Sequence, residues 1–190
     1  MIDLRLLIAL LIISGHAEAR RAPSSRTVRE VHGRVVSCHD GDTCRVLELV
    51  PVGKAAPGKF REGEKFSVRL SGIDAPELGQ ASAVEAKRHL EGMLKGKDVR
   101  LLCDGRSYHR RTCDIYLGDL HVQRELVRLG WAWDSPKYSG GSFAVAQAEA
   151  RKAKIGIWAN EGPSLRSPAC FRAKSKEARR NCARDPRFQE

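Results

Sequence analysis

FSVRLSGIDAPE, residues 66–77, is the stretch that most constrains the architecture of this chain. Its first five residues alternate apolar and polar side chains, as a half-buried strand does, so Phe66, Val68 and Leu70 are predicted to face the core. Arg69 then points to the opposite face, toward a groove or solvent. Two carboxylates follow where the strand ends, with a proline that stiffens the path between them.

The segments on either side of this strand form an ordered pattern of elements. Upstream, residues 31–38 and 43–50 are predicted strands around a sharp turn, and residues 51–64 a loop. Downstream, apolar side chains recur at helical spacing over residues 81–95, and Gly96 follows as a C-cap. The remaining predicted elements are a hairpin over 99–103 and 113–117, a helix over 122–129, and a helix that Ser142 caps and that runs to Lys154.

Three strands, a helix, two strands and further helices follow one another in the order of a five-stranded OB barrel. We therefore predict an α+β fold, an OB-fold β-barrel with three packed helices. The barrel domain is expected over residues 30–160. A flexible lead-in over residues 20–29 would precede it, and a basic, cysteine-containing tail over residues 161–190 would follow.

Residues 1–19 have the features of an export signal. An apolar run over residues 6–13 is too short to span a bilayer, Arg5 precedes it, and Ala17-Glu18-Ala19 offers a small-x-small cleavage pattern. A buried N-terminal helix is the alternative interpretation. With the signal removed, we expect a periplasmic or extracellular protein that is monomeric and has no stable membrane association.

The charge of the chain favours a polyanionic partner. Its 34 Lys and Arg residues outnumber 23 Asp and Glu, which gives a formal net charge of +11 at pH 7. Nucleic acid is the simplest partner for such a surface. A basic surface kept only for solubility would give the same composition, so the charge does not decide between them.

Six cysteines in an exported chain are expected to form disulfides. No Cys-x-x-Cys zinc pattern occurs. Six cysteines allow many connectivities, and local pairing is the preferred one. The pairs nearest in sequence are Cys38/Cys44, Cys103/Cys113 and Cys170/Cys182.

Three short stretches carry side chains suited to phosphate chemistry. Asp40-Gly41-Asp42-Thr43 places carboxylates at a turn, where they can converge on a hard cation. Asp74 and Glu77 add two more carboxylates. Arg69 can hold a phosphate against a metal bound by the aspartates. Residues 107–111 offer further arginines. Taken singly, these stretches could be a hairpin turn, a strand end and a solvated basic turn.

Five motifs, taken in order, resemble the staphylococcal nuclease-like family, also called thermonucleases. They are Asp-Gly-Asp-Thr at 40–43, Arg-Leu-x-x-x-Asp-x-Pro-Glu at 69–77, Tyr-x-Arg at 108–110, Leu-Val-Arg-x-Gly at 126–130 and the segment 148–158 that ends in Gly-Ile-Trp. The resemblance covers roughly residues 31–160. It implies an endonuclease that hydrolyses phosphodiester bonds of DNA, RNA or both and leaves a 3′-phosphate.

The resemblance also implies a cation site and a base. Asp42 and Asp74 would bind calcium together with the backbone carbonyl of Ala75, where the family often has threonine. Glu77 would orient or deprotonate the attacking water. Calcium is therefore the expected cofactor.

Substrate contacts follow from the same resemblance. Arg69 and Arg110 would be the two phosphate-binding arginines; Arg110 is preferred over Arg111 because it keeps a gap-free spacing to residues 126–128. Tyr108 and Tyr138 would contact the substrate, although a second tyrosine of the family's nucleotide pocket is here replaced by proline.

Two other functions fit the composition. A noncatalytic OB module could bind single-stranded nucleic acid, and an envelope protein could bind anionic polysaccharide. The complete set of carboxylates and arginines would have no purpose in either, and it favours the nuclease.

Overall fold

The computed structural model describes residues 28–51, 60–160, 166–177 and 180 of the 190-residue chain. The predicted export signal, most of the lead-in and Cys182 lie outside the described residues. Within those ranges, no helix has the length and apolar character needed to cross a membrane.

Five long strands close into a barrel. The strands are β1 (Arg29–Cys38), β2 (Thr43–Pro51), β3 (Phe60–Leu70), β4 (Ile73–Asp74), β5 (Asp98–Ser107), β6 (Arg110–Leu117), β7 (Leu120–His121) and β8 (Trp133–Asp134). Strands β3, β2, β1, β5 and β6 pair in that order, β7 extends the edge, and a parallel pairing of β3 with β6 closes the sheet. Strands β4 and β8 form a separate antiparallel pair. This closed barrel confirms the predicted OB fold.

The helices include the three that the sequence predicts and two short ones that it does not. They are α1 (Ala83–Leu94), α2 (Val122–Arg128), α3 (Pro136–Ser139), α4 (Ala144–Lys152) and α5 (Pro168–Arg172), with a 3-10 turn over Gly156–Asn160. Helices α1, α2 and α4 are the predicted three. Helix α5 lies in the basic tail, which therefore contains ordered structure.

Two local predictions were wrong. Ser142 does not cap α4: its hydroxyl donates to the Ser139 carbonyl at 2.6 Å, and α4 begins at Ala144. The predicted loop over residues 51–64 is partly strand, because β3 already begins at Phe60 and pairs with β2. Residues 61, 62 and 64 are charged and exposed, so the sequence shows no strand-like alternation there. Pairing with a neighbouring strand nevertheless makes this segment a strand.

The core lies inside the barrel, and each long strand contributes to it. Alternation along β3 buries Val68 and Leu70, so Arg69 points to the other side. The predicted core face of this strand is thus confirmed, with Phe66 partly buried. Fully buried side chains from the other four long strands are Val35, Val46, Leu101 and Ile115.

Two disulfides connect strands at directly opposed positions. Cys38 and Cys44 join β1 to β2, and Cys103 and Cys113 join β5 to β6. These are two of the three predicted pairs. The third involves Cys182 and lies outside the described residues. Each observed bridge closes the base of a turn, so both turns are covalently restrained.

Candidate active site

The turn between β1 and β2 presents a buried carboxylate, Asp42. Its backbone N–H donates to Asp40 Oδ1 at 3.0 Å, and its carbonyl accepts from the Leu70 N–H at 2.8 Å. Asp42 Oδ2 accepts from the Ala75 N–H at 2.9 Å. Gly41 permits this approach, because a Cβ there would lie 2.7 Å from Ala75 Cβ. Asp42 is therefore fixed between the end of β3 and the segment that follows β4.

Arg69 joins this carboxylate to Asp74. Its Nη1 forms an ion pair with Asp42 Oδ1, and its Nη2 lies 2.9 Å from Asp74 Oδ1. Burial lowers the pKa of the Arg69 guanidinium, while the charge of Asp74 opposes that shift. Arginine remains charged in proteins, so the contact is an ion pair. The two aspartates predicted to bind metal thus converge on one point.

Arg110 reaches the same carboxylate through a hydroxyl. Its Nη1 donates to Thr43 Oγ1 at 3.2 Å, and Thr43 Oγ1 in turn donates to Asp42 Oδ1 at 3.1 Å. Arg111 lies elsewhere: it contacts Glu48 Oε2 at 3.3 Å, with its guanidinium carbon 3.8 Å from the centre of the Phe66 ring. Consecutive strand residues face opposite sides. The structure therefore brings Arg110, and not its neighbour, to the aspartates.

Glu77 lies in a turn that Gln80 holds. The Glu77 N–H donates to Gln80 Oε1, and the Gln80 N–H donates to the Glu77 carbonyl, both at 2.8 Å. The Glu77 side chain is partly exposed, with 37% of its surface accessible. This geometry fixes the backbone while leaving the carboxylate within reach of water.

An arginine that sequence reasoning missed links Glu77 to Asp74. Arg172, the last residue of α5, donates to Asp74 Oδ2 at 2.8 Å, to Asp74 Oδ1 at 3.3 Å and to Glu77 Oε1. Burial acts to lower the pKa of Arg172, but its hydrogen bonds and ion pairs with the two carboxylates raise it overall. The missed signal was Ser167-Pro168, an N-cap followed by proline at the first helical position, which marks a helix start.

The two predicted substrate-contacting tyrosines lie at the surface. Tyr108, at the tip of the β5–β6 turn, has a backbone φ of 58° and is 89% exposed. Tyr138, in α3, is 71% exposed, with Lys137 Nζ 5.3 Å from its ring centre. Among the described residues, no hydrogen bond or ion pair connects either ring to the carboxylates.

The donor set around Asp42 suits a hard divalent cation. In the described part of the chain, no group of three or more His, Cys, Asp or Glu side chains could hold a metal ion. A cation here would therefore depend on two carboxylates, a backbone carbonyl such as that of Ala75, and water. Oxygen ligands of this mixed kind are the ones calcium takes, so the residues present fit such an ion.

Comparison with known proteins identifies the family. The sequence matches the family described as "Staphylococcal nuclease homologue" over residues 67–160. An uncharacterized endonuclease of Haemophilus influenzae is 33% identical over 132 residues, which cover 68% of this chain and 67% of the relative. An endonuclease of Saprolegnia parasitica is 33% identical over 167 residues, 77% of each chain. The chain belongs to the staphylococcal nuclease-like family.

Membership of the staphylococcal nuclease-like family makes the chain a nuclease, a hydrolase of phosphodiester bonds in nucleic acid. The plant relatives are longer proteins. A probable staphylococcal-like nuclease of Oryza sativa is 33% identical over 119 residues, 62% of this chain but only 32% of the relative. The chain therefore spans about a third of the length of that protein.

The staphylococcal nuclease match contains only part of the site. Residues 67–160 include Arg69, Asp74, Glu77 and Arg110. Asp42 precedes the matched region and Arg172 follows it. The fold brings all of them together, and Arg172 comes from a segment that the family match does not include.

Proposed function

We propose that this protein is a calcium-dependent, exported endonuclease that cuts DNA, RNA or both. The observation that carries the proposal is the placement of Arg69 between Asp42 and Asp74, with Arg110 on the other side of Asp42 through Thr43. Phosphate-binding groups thus adjoin cation-binding groups. Such an arrangement suits an anionic phosphodiester that must also gain charge during the reaction.

The two arginines would bind the scissile phosphate. Calcium held by Asp42 and Asp74 would supply Lewis acidity, which draws negative charge from a phosphate oxygen. The ion pairs of Arg69 with two carboxylates place its guanidinium beside the proposed cation ligands. Among the described residues, the hydrogen bonds of Arg110 go to two neutral hydroxyls, those of Thr43 and Ser107. Its guanidinium is therefore the freer of the two to strengthen a contact in the transition state.

Glu77 would prepare the nucleophile. It accepts a proton from water while the water oxygen bonds to phosphorus. The bond between phosphorus and the 5′ oxygen then breaks, the 5′ oxygen takes a proton from solvent water, and Glu77 returns its own proton to solvent. The products are one strand with a 3′-phosphate and one with a 5′-hydroxyl. The partial exposure of Glu77 supports this role, because water can reach its carboxylate.

Exposed rings would help to hold the strand. Tyr108 and Tyr138 present aromatic faces on which bases can stack, a contact that every base can make. Among the residues that the structure describes, neither ring is hydrogen-bonded to the carboxylates. We expect them to contribute to affinity more than to turnover.

Two disulfides support the proposal of export. Cys38–Cys44 and Cys103–Cys113 would persist in the periplasm or outside the cell, whereas cytosolic thiols are kept reduced. We further propose a monomer without stable membrane association, which size-exclusion chromatography and fractionation of expressing cells test directly.

The decisive experiment for function uses single- and double-stranded DNA and RNA, each with calcium and with excess chelator. Cleavage with calcium and none with chelator is expected. Glu77→Gln should bind the same substrates and cut them far more slowly. Undiminished cleavage in chelator would overturn the calcium requirement, and binding without cleavage under every condition would favour the noncatalytic alternative.

A further inference from the structure

Helix α5 places a guanidinium on the carboxylates of the site. Arg172 contacts both oxygens of Asp74, at 2.8 Å for Oδ2 and 3.3 Å for Oδ1, and also Glu77 Oε1. Arg69 already donates to Asp74 Oδ1 at 2.9 Å. Both oxygens of this predicted cation ligand are therefore occupied by donors.

The position of Arg172 does not depend on these ion pairs alone. Gln80, which holds the Glu77 turn, also donates to the Arg166 carbonyl at 2.9 Å. Ser167 is buried and caps α5 by accepting from the Cys170 N–H at 3.3 Å. Phe171 lies beside Gly79, where a Cβ would come 3.8 Å from its Cζ. The segment is therefore seated on the same turn that carries Glu77.

The charges make Arg172 a competitor of the cation. Asp42, Asp74 and Glu77 carry three formal negative charges, and Arg69 and Arg172, which contact them, carry two positive ones. A divalent cation that binds Asp74 must displace the guanidinium from Oδ2 or tolerate a like charge beside it. Either event costs binding free energy, since charges at such separations interact strongly even near a protein surface.

We propose that Arg172 is a further residue of this site, an internal counter-ion that competes with the divalent cation for Asp74 and so sets the concentration at which the cation binds. The inference rests on the cation site proposed above. The proposal gives a function to helix α5, which lies beyond the family match over residues 67–160.

Calcium titration by isothermal calorimetry, without nucleic acid, tests the proposal on the purified chain. Arg172→Gln should bind calcium about tenfold more tightly than the parent, equivalent to about 1.4 kcal/mol. Arg172→Lys keeps the charge but loses the forked contact, and it should bind about threefold more tightly. Arg34→Gln is the matched control, because Arg34 makes a forked contact with Asp98, and its calcium affinity should be unchanged.

The outcomes separate this proposal from the one on which it rests. Equal calcium affinity of the parent and Arg172→Gln would overturn the competition and leave the cation site standing. Absence of calcium binding by every variant would overturn both. Thermal melting shows whether Arg172→Gln folds; if it does not, Arg172→Lys decides, and parental affinity in that variant overturns the proposal.

Discussion

Arg110 and Arg111 are neighbours on β6 with different partners: Arg110 donates to Thr43 beside Asp42, whereas Arg111 pairs with Glu48. Arg110→Ala should lower turnover at saturating substrate by roughly a hundred- to thousandfold, because it removes a donor to the developing charge. Arg111→Ala should keep near-normal turnover. Turnover measured for both variants, with affinity at two salt concentrations, separates catalysis from binding. If Arg111→Ala were inactive and Arg110→Ala kept near-normal turnover, Arg111 and not Arg110 would be the catalytic arginine.

Asp42→Asn should raise the calcium concentration needed for half-maximal activity by about tenfold or more. The amide keeps the shape of the side chain but removes the charge that a hard cation prefers. Calcium titration of the cleavage rate measures the effect. Asp98→Asn is the control, since it removes the carboxylate of an exposed ion pair with Arg34 and should leave the calcium response unchanged. Identical calcium responses of Asp42→Asn and the parent would remove Asp42 from the cation site.

Reduction of the disulfides should lower the melting temperature. The bridges span sequence separations of 6 and 10 residues, and closing such loops typically contributes about 2–4 kcal/mol through the unfolded chain. Thermal melts with and without reductant measure the loss. Activity at a temperature where the reduced protein remains folded should also fall, because each bridge holds a turn that carries site residues. Mass spectrometry that finds six free thiols in the oxidised protein would contradict the pairing.

Gly41→Ala should destabilise the protein by about 1–3 kcal/mol, the usual cost of overpacking. The new methyl group would lie 2.7 Å from Ala75 Cβ and 3.0 Å from Ala86 Cβ, and neither neighbour has a flexible end that can move aside. Denaturant unfolding measures the change. Gly92→Ala is the control: among the described residues, nothing outside the neighbouring helix backbone lies within 4 Å of the added Cβ. This substitution should stabilise the protein by about 0.5–1 kcal/mol, because alanine favours a helix interior over glycine. If Gly41→Ala were as stable as the parent, the turn would accommodate the added methyl group and the predicted overpacking would be wrong.

The sequence predicts the barrel, and it selects several residues that the structure places around Asp42, because both depend on short-range patterns. Alternation along residues 66–70 places Arg69 opposite the core, and a pair of cysteines brackets each of the two site turns. The spacing to residues 126–128 favours Arg110 over Arg111 as the second phosphate-binding arginine. The structure connects Arg110 to Asp42 through the Thr43 hydroxyl.

The rest depended on contacts between residues distant in sequence. Arg172 contacts Asp74 although 98 positions of the chain separate them, and nothing in the sequence of the basic run distinguishes this arginine from its neighbours. The beginning of β3 was not predicted for a similar reason. Its charged residues adopt strand structure because they pair with β2, which the local sequence does not show. Local patterns cannot reveal such partners.

Cleavage of circular single-stranded DNA and circular RNA is the most direct test of calcium-dependent endonuclease activity at these arginines and carboxylates. A circle has no ends, so only an internal cut can linearise it. With calcium the parent should convert circles to linear strands and then to fragments that carry 3′-phosphates, and excess chelator should stop the reaction. Circles of DNA and of RNA that both stay intact with calcium, while the protein binds them, would contradict the proposed nuclease mechanism.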